Sequence, residues 1–122
     1  REKKMTNRNK LRNRRPNETH TLEVPLSDPY VTTEIVVTLG FDMDTGKVQE
    51  IFISQGKTGS DMDAILSDAA ILASRCLQAG MSLAELGESI GRLGDDFTGG
   101  TAMRPATFIG AAIDLAHFVE GV

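Results

Sequence analysis

The stretch VTTEIVVTLGFDMDTGKVQEIFIS, residues 31–54, decides the fold of this chain. Its first half alternates between two faces with a period of two, and one face carries Val31, Thr33, Ile35, Val37 and Leu39. The run DMDTG at 42–46 predicts a hairpin turn, because Gly46 can adopt a positive φ. Another β-rich run, 48–54, follows directly. The stretch therefore predicts two antiparallel strands joined by a tight turn.

A further strand is predicted before this hairpin. Residues 18–26 alternate in the same way, and one face is formed by His20, Leu22, Val24 and Leu26. The run Ser27-Asp28-Pro29, which separates this segment from the hairpin, is typical of a turn. The three strands together predict an antiparallel meander. Both faces of the 48–54 strand carry apolar residues, which predicts that this strand is central in the sheet and covered on both sides.

Helical periodicity begins after the strands. Ser60 is a good N-cap, and Gly80 is placed to end the first helix. The apolar stripe predicted to face the sheet contains Ile65, Leu66, Ala69, Leu72, Ala73, Cys76 and Leu77. Truncation of Leu72 is therefore expected to destabilise the core.

Two more helices are predicted further along the chain. Ser82 and Glu85 have the spacing of a capping box, and the helix that they begin extends to Gly94. The dipeptide Arg104-Pro105 is interpreted as the start of the last helix. Strands first and helices afterwards predict an α+β fold, in which two or three helices pack on one face of the three-stranded meander.

Charge is divided unevenly along the chain. Residues 1–15 contain eight basic residues and one acid, whereas 16–122 contain five basic and 16 acidic residues. Residues 1–17 lack an apolar period and are interpreted as a basic disordered arm, and 18–122 as a single domain. The arm, with Arg12, Arg14 and Arg15, is either a solvated tail against the acidic domain or a segment that binds phosphates or an acidic partner.

Composition disfavours several classes of protein. No apolar run approaches the ~18–20 residues of a membrane helix, and no apolar segment follows the N-terminal charges as in a secretory signal. The cytoplasm is therefore the expected location. Cys76 is the sole cysteine and only two histidines are present, so neither an intramolecular disulfide nor a metal site is expected. No cofactor is predicted.

A glycine-containing loop joins the predicted 48–54 strand to the first helix. It reads Gly56-Lys57-Thr58-Gly59-Ser60 and has the position of a phosphate-binding loop. The complete motif needs another glycine where this chain has Ile51, which disfavours a nucleotide triphosphatase of that kind. Free N–H groups at the helix start, with Lys57 nearby, form a candidate anion site, and a tight strand-to-helix turn is the commoner interpretation.

His20 is the other candidate for chemistry. It lies on the apolar face of the first predicted strand, where a half-buried, hydrogen-bonded histidine is the commoner interpretation and a catalytic base the alternative. His117 lies near the end of the last predicted helix, where a cation interacts favourably with the helix dipole. No catalytic constellation is predicted from these residues.

An ordered set of motifs resembles the TSCPD domain. The set runs through Arg14-Arg15-Pro16, Thr19-His20-Thr21-Leu22, Glu50-Ile51-Phe52-Ile53, Gly56-Lys57-Thr58-Gly59-Ser60, and Cys76-Leu77-Gln78-Ala79-Gly80 followed by Ser82-Leu83. The resemblance covers residues 14–93, and its specificity lies in the order and spacing of the pieces. This domain occurs near the C-terminus of adenosylcobalamin-dependent (class II) ribonucleotide reductases and as short stand-alone proteins.

The resemblance implies a link to deoxyribonucleotide synthesis. The reductases use a radical-generating cysteine and a redox pair of cysteines, whereas this chain has Cys76 alone, so it cannot perform that reduction by itself. The predicted function is a non-catalytic accessory domain that binds a ribonucleotide reductase chain or a second copy of itself. The alternative is a small nucleotide- or nucleic-acid-binding protein that uses the basic arm and the 56–60 loop.

Self-association is predicted from the sheet. Helices on one side leave the other face open, and Ile51 and Ile53 lie on that open face if Phe52 points to the helices. An exposed apolar patch of that kind is typical of an interface. The sequence therefore predicts a homodimer or a tight heteromer.

Overall fold

The predicted α+β class and the three-stranded antiparallel meander are confirmed. The computed structural model describes residues 16–25, 28, 30–55, 60–94 and 103–121. The elements in chain order are β1 (Asn17–Pro25), β2 (Thr32–Phe41), β3 (Val48–Ser54), α1 (Asp61–Gln78), α2 (Leu83–Glu88), β4 (Arg92–Gly94), β5 (Met103–Pro105) and α3 (Phe108–Glu120). Among these described helices, none is both long and apolar enough to cross a bilayer.

The meander has the strand order β1-β2-β3. Leu22 lies opposite Ile35 in the first pair, and Leu39 lies opposite Ile51 in the second. The hairpin turn forms where it is predicted, because Gly46 adopts a φ of +73° and its N–H donates to the Asp42 carbonyl at 2.8 Å. Period-two alternation then places most of the buried apolar residues of the three strands on one face.

The faces of β3 are the reverse of what the sequence predicted for self-association. Ile51 and Ile53 are buried in the core, whereas Phe52 is 48% exposed on the opposite face. β3 is also an outer strand of the sheet, and only one of its faces is covered. The predicted interface built on Ile51 and Ile53 is therefore wrong, because β2 aligns them with Val37 and Leu39, which are fully buried.

Helix α1 starts and ends as predicted, but the phase of its buried stripe is different. The Ser60 side chain accepts a hydrogen bond from the Asp63 N–H, and Gly80, with a φ of +110°, follows the last turn. The prediction that Ile65 and Leu72 face the sheet is wrong, because their side chains are 62% and 65% exposed. The buried positions of the helix are Leu66, Ala70, Ala73, Ser74 and Leu77.

The region after α1 contains more strand than the sequence indicated. The capping box of Ser82 and Glu85 forms, but α2 ends at Glu88, and Leu93 lies in β4 instead of a helix. Arg104 and Pro105 belong to β5, which pairs with β4 in a two-stranded sheet. The last helix therefore does not begin at Arg104-Pro105.

Helix α3 begins at an N-cap that the sequence analysis missed. The Thr107 side chain accepts a hydrogen bond from the Gly110 N–H. Gly110 is closely packed, since a Cβ at this position would lie 2.9 Å from Ile90 Cγ2 and 3.1 Å from Pro105 Cβ. The helix adds further apolar side chains to the core under the meander, namely Phe108, Ala112, Ile113 and Ala116.

The rotation of α1 about its own axis can be tested by measuring the stability of two leucine variants. Leu66→Ala should lower the free energy of unfolding by about 2–5 kcal/mol, because it leaves a cavity in the core. Leu72→Ala, a matched truncation on the same helix, should change it by less than about 0.5 kcal/mol, because that side chain is exposed. Urea denaturation at low protein concentration measures both values. Equal losses for the two variants would show that the helix is rolled differently.

Candidate functional site

Most of the residues predicted to bind an anion lie outside the described part of the chain. They are Gly56, Lys57, Thr58 and Gly59 of the loop and Arg12, Arg14 and Arg15 of the arm. The anion site of the loop and the phosphate-binding role of the arm therefore stay predictions. Ser60 is described, and its hydroxyl oxygen caps α1 by accepting from the Asp63 N–H at 3.1 Å. Asp61 and Asp63 occupy the first turn, where their carboxylates already interact favourably with the helix dipole. Their negative charge opposes the approach of an anion.

His20 has a local structural partner. Its Nε2 lies 3.0 Å from Glu18 Oε1, and about a third of its side chain is exposed. It lies on β1, which β2 separates from β3, whereas the free thiol of Cys76 belongs to α1, which packs along β3. A nucleophile–base pair requires contact within hydrogen-bond reach. The structure therefore does not bring the sole cysteine to this histidine.

Two described side chains have clearly shifted pKa values, and both shifts have structural causes. The Ser82 backbone N–H donates to Glu85 Oε1 at 2.9 Å, and this hydrogen bond, with the side-chain contact of Ser82, lowers the pKa of Glu85. Asp114 accepts two hydrogen bonds of 2.7 Å from Arg92, and these raise the pKa of Arg92. The first contact caps α2 and the second ties β4 to α3, so neither marks a group poised for catalysis.

Within the described ranges, no three side chains of His, Cys, Asp or Glu are placed to hold a metal ion together.

A groove lies between β3 and α1 at the edge of the sheet. Its volume is about 190 Å³, and its lining consists of Glu50, Phe52, Ile71, Ser74, Arg75 and Gln78. Phe52 and Ile71 are 48% and 44% exposed, so the groove offers apolar surface to solvent. A typical small-molecule site has a volume of about 300–1,000 Å³. The β3–α1 groove is small for such a ligand and has room for the side chains of a partner protein.

Polar side chains fix the wall of the β3–α1 groove. The buried Ser74 hydroxyl accepts a hydrogen bond from the Ile51 N–H at 2.8 Å and lies within 3.2 Å of the Ile51 carbonyl and 2.8 Å of the Ala70 carbonyl. Gln78 Nε2 donates to the Gln49 carbonyl at 3.1 Å. These contacts satisfy backbone groups of β3 that face away from β2. The groove is therefore part of the rigid junction between the sheet and α1.

The open face of the meander continues from this groove. Phe52 lies opposite Thr38, which in turn lies opposite Thr19, and the two threonine hydroxyls are 3.0 Å apart. Glu50 lies opposite Gly40, where a Cβ would come within 2.7 Å of the Glu50 carboxylate. With the exposed Glu23 and Glu34 on neighbouring strands, this gives the face an acidic character around one aromatic side chain. Such a surface suits a partner with basic and apolar groups.

The architecture and this surface define a class of protein: a small α+β domain whose helices cover one face of a three-stranded meander and leave the other open. The family model of the TSCPD domain matches residues 4–116, and the chain belongs to that family. The TSCPD domain is associated with ribonucleotide reductases. No curated protein and no solved structure matched the chain in the other two comparisons.

Sequence reasoning missed the residues that build the β3–α1 groove. Ser74 belongs to none of the motifs above, although a serine among apolar helix positions is a usable signal for a buried hydrogen bond. Gln78 belongs to the motif at 76–80, but the motif does not indicate its contact with β3. Phe52 was noted, but the sequence pattern did not decide whether it or its isoleucine neighbours face the helices. The groove is formed by two elements that lie far apart along the chain, so local spacing does not reveal it.

Ser74→Ala tests the junction beneath the groove. The variant leaves the buried Ile51 N–H without its acceptor, so the free energy of unfolding should fall by about 1–3 kcal/mol. Ser67→Ala is the matched control, because Ser67 lies exposed on the same helix and its loss should cost less than about 0.5 kcal/mol. Chemical denaturation of the two variants measures the difference. A Ser74 variant as stable as the control would contradict the proposed contact.

Proposed function

We propose that this chain is a non-catalytic accessory domain that binds a ribonucleotide reductase chain and so supports deoxyribonucleotide synthesis in the cytoplasm. Family membership supports the link to the reductase. The chain's chemistry supports a role in binding, since Cys76 is the one thiol in the sequence. A thiyl-radical reduction that ends in a disulfide needs further thiols, so any such chemistry must be supplied by the partner.

The main support for the proposed contact is the exposure of Phe52. A large aromatic side chain that is half exposed on a rigid strand is a common anchor in protein interfaces. Ile71 extends the apolar surface across the β3–α1 groove. Glu50 and Arg75 give the groove charges of opposite sign. Charges of this kind set the orientation of a partner more than its affinity.

Phe52→Glu tests the contact with the reductase. Loss of an interface anchor should weaken binding by at least about tenfold, because hot-spot truncations cost ~2 kcal/mol or more. Phe118→Glu is the matched control, since Phe118 is 73% exposed at the end of α3, away from the groove. Affinity for the purified reductase of the same source is measured by isothermal titration calorimetry.

Two results of this titration would count against the proposal. One is the absence of any heat of binding between the wild-type chain and the reductase, and the other is an equal loss of affinity in the two phenylalanine variants. Circular dichroism spectra of both variants separate a loss of binding from a loss of fold, and unchanged spectra are expected because both side chains are exposed.

A nucleotide- or nucleic-acid-binding role is the second candidate. The observation in its favour is the concentration of eight basic residues within 1–15. Arg12, Arg14 and Arg15 would add affinity without sequence selectivity, because point charges on phosphates do not read base edges. Lys57, with the loop amides, would hold one anion. The capping role of Ser60 and the carboxylates of the first turn weigh against the loop.

The dependence of DNA binding on salt concentration tests this second candidate. If phosphates are the ligand, the triple variant Arg12→Gln, Arg14→Gln and Arg15→Gln should bind short single-stranded DNA with a visibly smaller dependence on salt concentration. Lys57→Ala should weaken binding while changing that dependence by no more than one contact. Fluorescence anisotropy at several salt concentrations measures both. Absence of binding to DNA and to nucleoside diphosphates at low salt would exclude the role.

A further inference from the structure

A second apolar stripe follows the outer side of α1. We call it the outer seam, and it consists of Met62, Ile65, Ala69, Leu72, Cys76 and Ala79. Its members are separated by three and four residues in strict alternation, which is the spacing of the a and d positions in a coiled coil. The buried stripe lies about 100° away around the helix, at 100° per residue. The outer seam is therefore a separate surface from the core.

The outer seam is exposed to solvent. Ile65 and Leu72 rank among the most exposed large apolar side chains of the described residues, and Met62 is also exposed. Single exposed apolar residues need no explanation, but a continuous row along a helix of 18 residues does. At about 1.5 Å per residue, the row extends over ~25 Å. A surface of this shape fits another helix.

Two outer seams have complementary shapes when the two α1 helices run antiparallel. In an antiparallel pair of α1 helices centred between Ala69 and Leu72, Ala69 of one copy meets Leu72 of the other. The same symmetry brings Ile65 to Cys76 and Met62 to Ala79. Each of these layers pairs a large side chain with a small one, as close packing between helices requires. The two-fold axis makes each layer occur twice. The outer seam of each copy is therefore the only surface that the helix pair needs.

Charges along one border of the outer seam agree with the same register. Asp68 and Arg75 lie at successive g positions, which face each other across an antiparallel pair. The two-fold axis places Asp68 of one copy near Arg75 of the other, and the reciprocal pair forms on the opposite side of the axis. The border towards the core carries Leu66 and Ala73, which are buried within each copy. The register is thus favoured by charge as well as by shape.

We infer that the outer seam of α1 is the contact surface for a second copy of this chain, in an antiparallel helix pair with two-fold symmetry. This contact does not include Phe52 and goes beyond the proposed binding of a reductase. It replaces the sheet interface predicted from Ile51 and Ile53, which are buried. A single helix pair is a small interface compared with the ~1,200–2,000 Å² of stable complexes, so the dimer dissociates on dilution.

Sedimentation equilibrium of the full chain tests the dimer. The wild type should show a reversible monomer–dimer equilibrium, and Leu72→Glu should raise the dissociation constant at least about a hundredfold, because it places two carboxylates in the central layers. Phe118→Glu, which adds the same charge at another exposed aromatic position, should leave the equilibrium unchanged. A wild-type chain that stays monomeric at millimolar concentration would overturn the inference.

Exchange of charges tests the antiparallel register. Asp68→Arg and Arg75→Asp should each weaken self-association by about tenfold, because each places two like-charged pairs across the axis. An equimolar mixture of the two variants should recover the dimer, since every pair across the axis is then of opposite sign. Failure of the mixture to recover, with both variants folded, would overturn the antiparallel arrangement.

The unmodified chain offers a further readout at Cys76. This thiol is partly exposed in the monomer and would be covered by Ile65 of the second copy. Its rate of alkylation by iodoacetamide should therefore fall as the concentration of the chain rises, and Leu72→Glu should abolish that dependence.

Binding to the reductase should survive Leu72→Glu and fail in Phe52→Glu. Loss of reductase binding in the seam variant, without a change in mass, would instead assign the seam to the reductase and overturn the inference.

Discussion

The hydrogen bonds between α1 and the outer edge of β3 are the constraint on which the rest of the structure depends. A three-stranded sheet has backbone N–H and C=O groups on its outer strands that no neighbouring strand can satisfy, and burying them unpaired is costly. In β3 these groups are satisfied by Ser74 and Gln78 of α1, and the Val48 N–H donates to Glu120 at the end of α3 at 2.8 Å. The helices thus close the edge of the sheet as well as its face.

This constraint fixes the roll of α1 about its own axis. Because Ser74 must face β3, the residues that share its side of the helix become the core, and they include Leu66 and Leu77. Ile65 and Leu72 are then turned to solvent, although they are no less apolar. One polar contact therefore decides which apolar residues stabilise the domain and which stay exposed on α1. It also defines the β3–α1 groove, since Ser74 and Gln78 form its wall.

The parts of the fold that could be predicted from sequence are those with local causes. The caps of Ser60 and Ser82, the turn at Gly46 and the alternation of β2 depend on neighbouring residues alone, and all of them form. The roll of α1 could not be predicted, because the helix has more apolar residues than one face requires. The strands β4 and β5, of three residues each, are too short to show a period. Family membership was predictable because it rests on the order of many short motifs.

Helix α1 is proposed to have two apolar faces, one in the core and one for a second copy of the chain. Methyl NMR spectra recorded at increasing protein concentration test this proposal most directly. The methyl signals of Ile65 and Leu72 should shift with concentration, while those of Leu66 and Leu77 should stay in place. Shifts centred on the core leucines, or spectra that do not change at any concentration, would contradict the proposed second face.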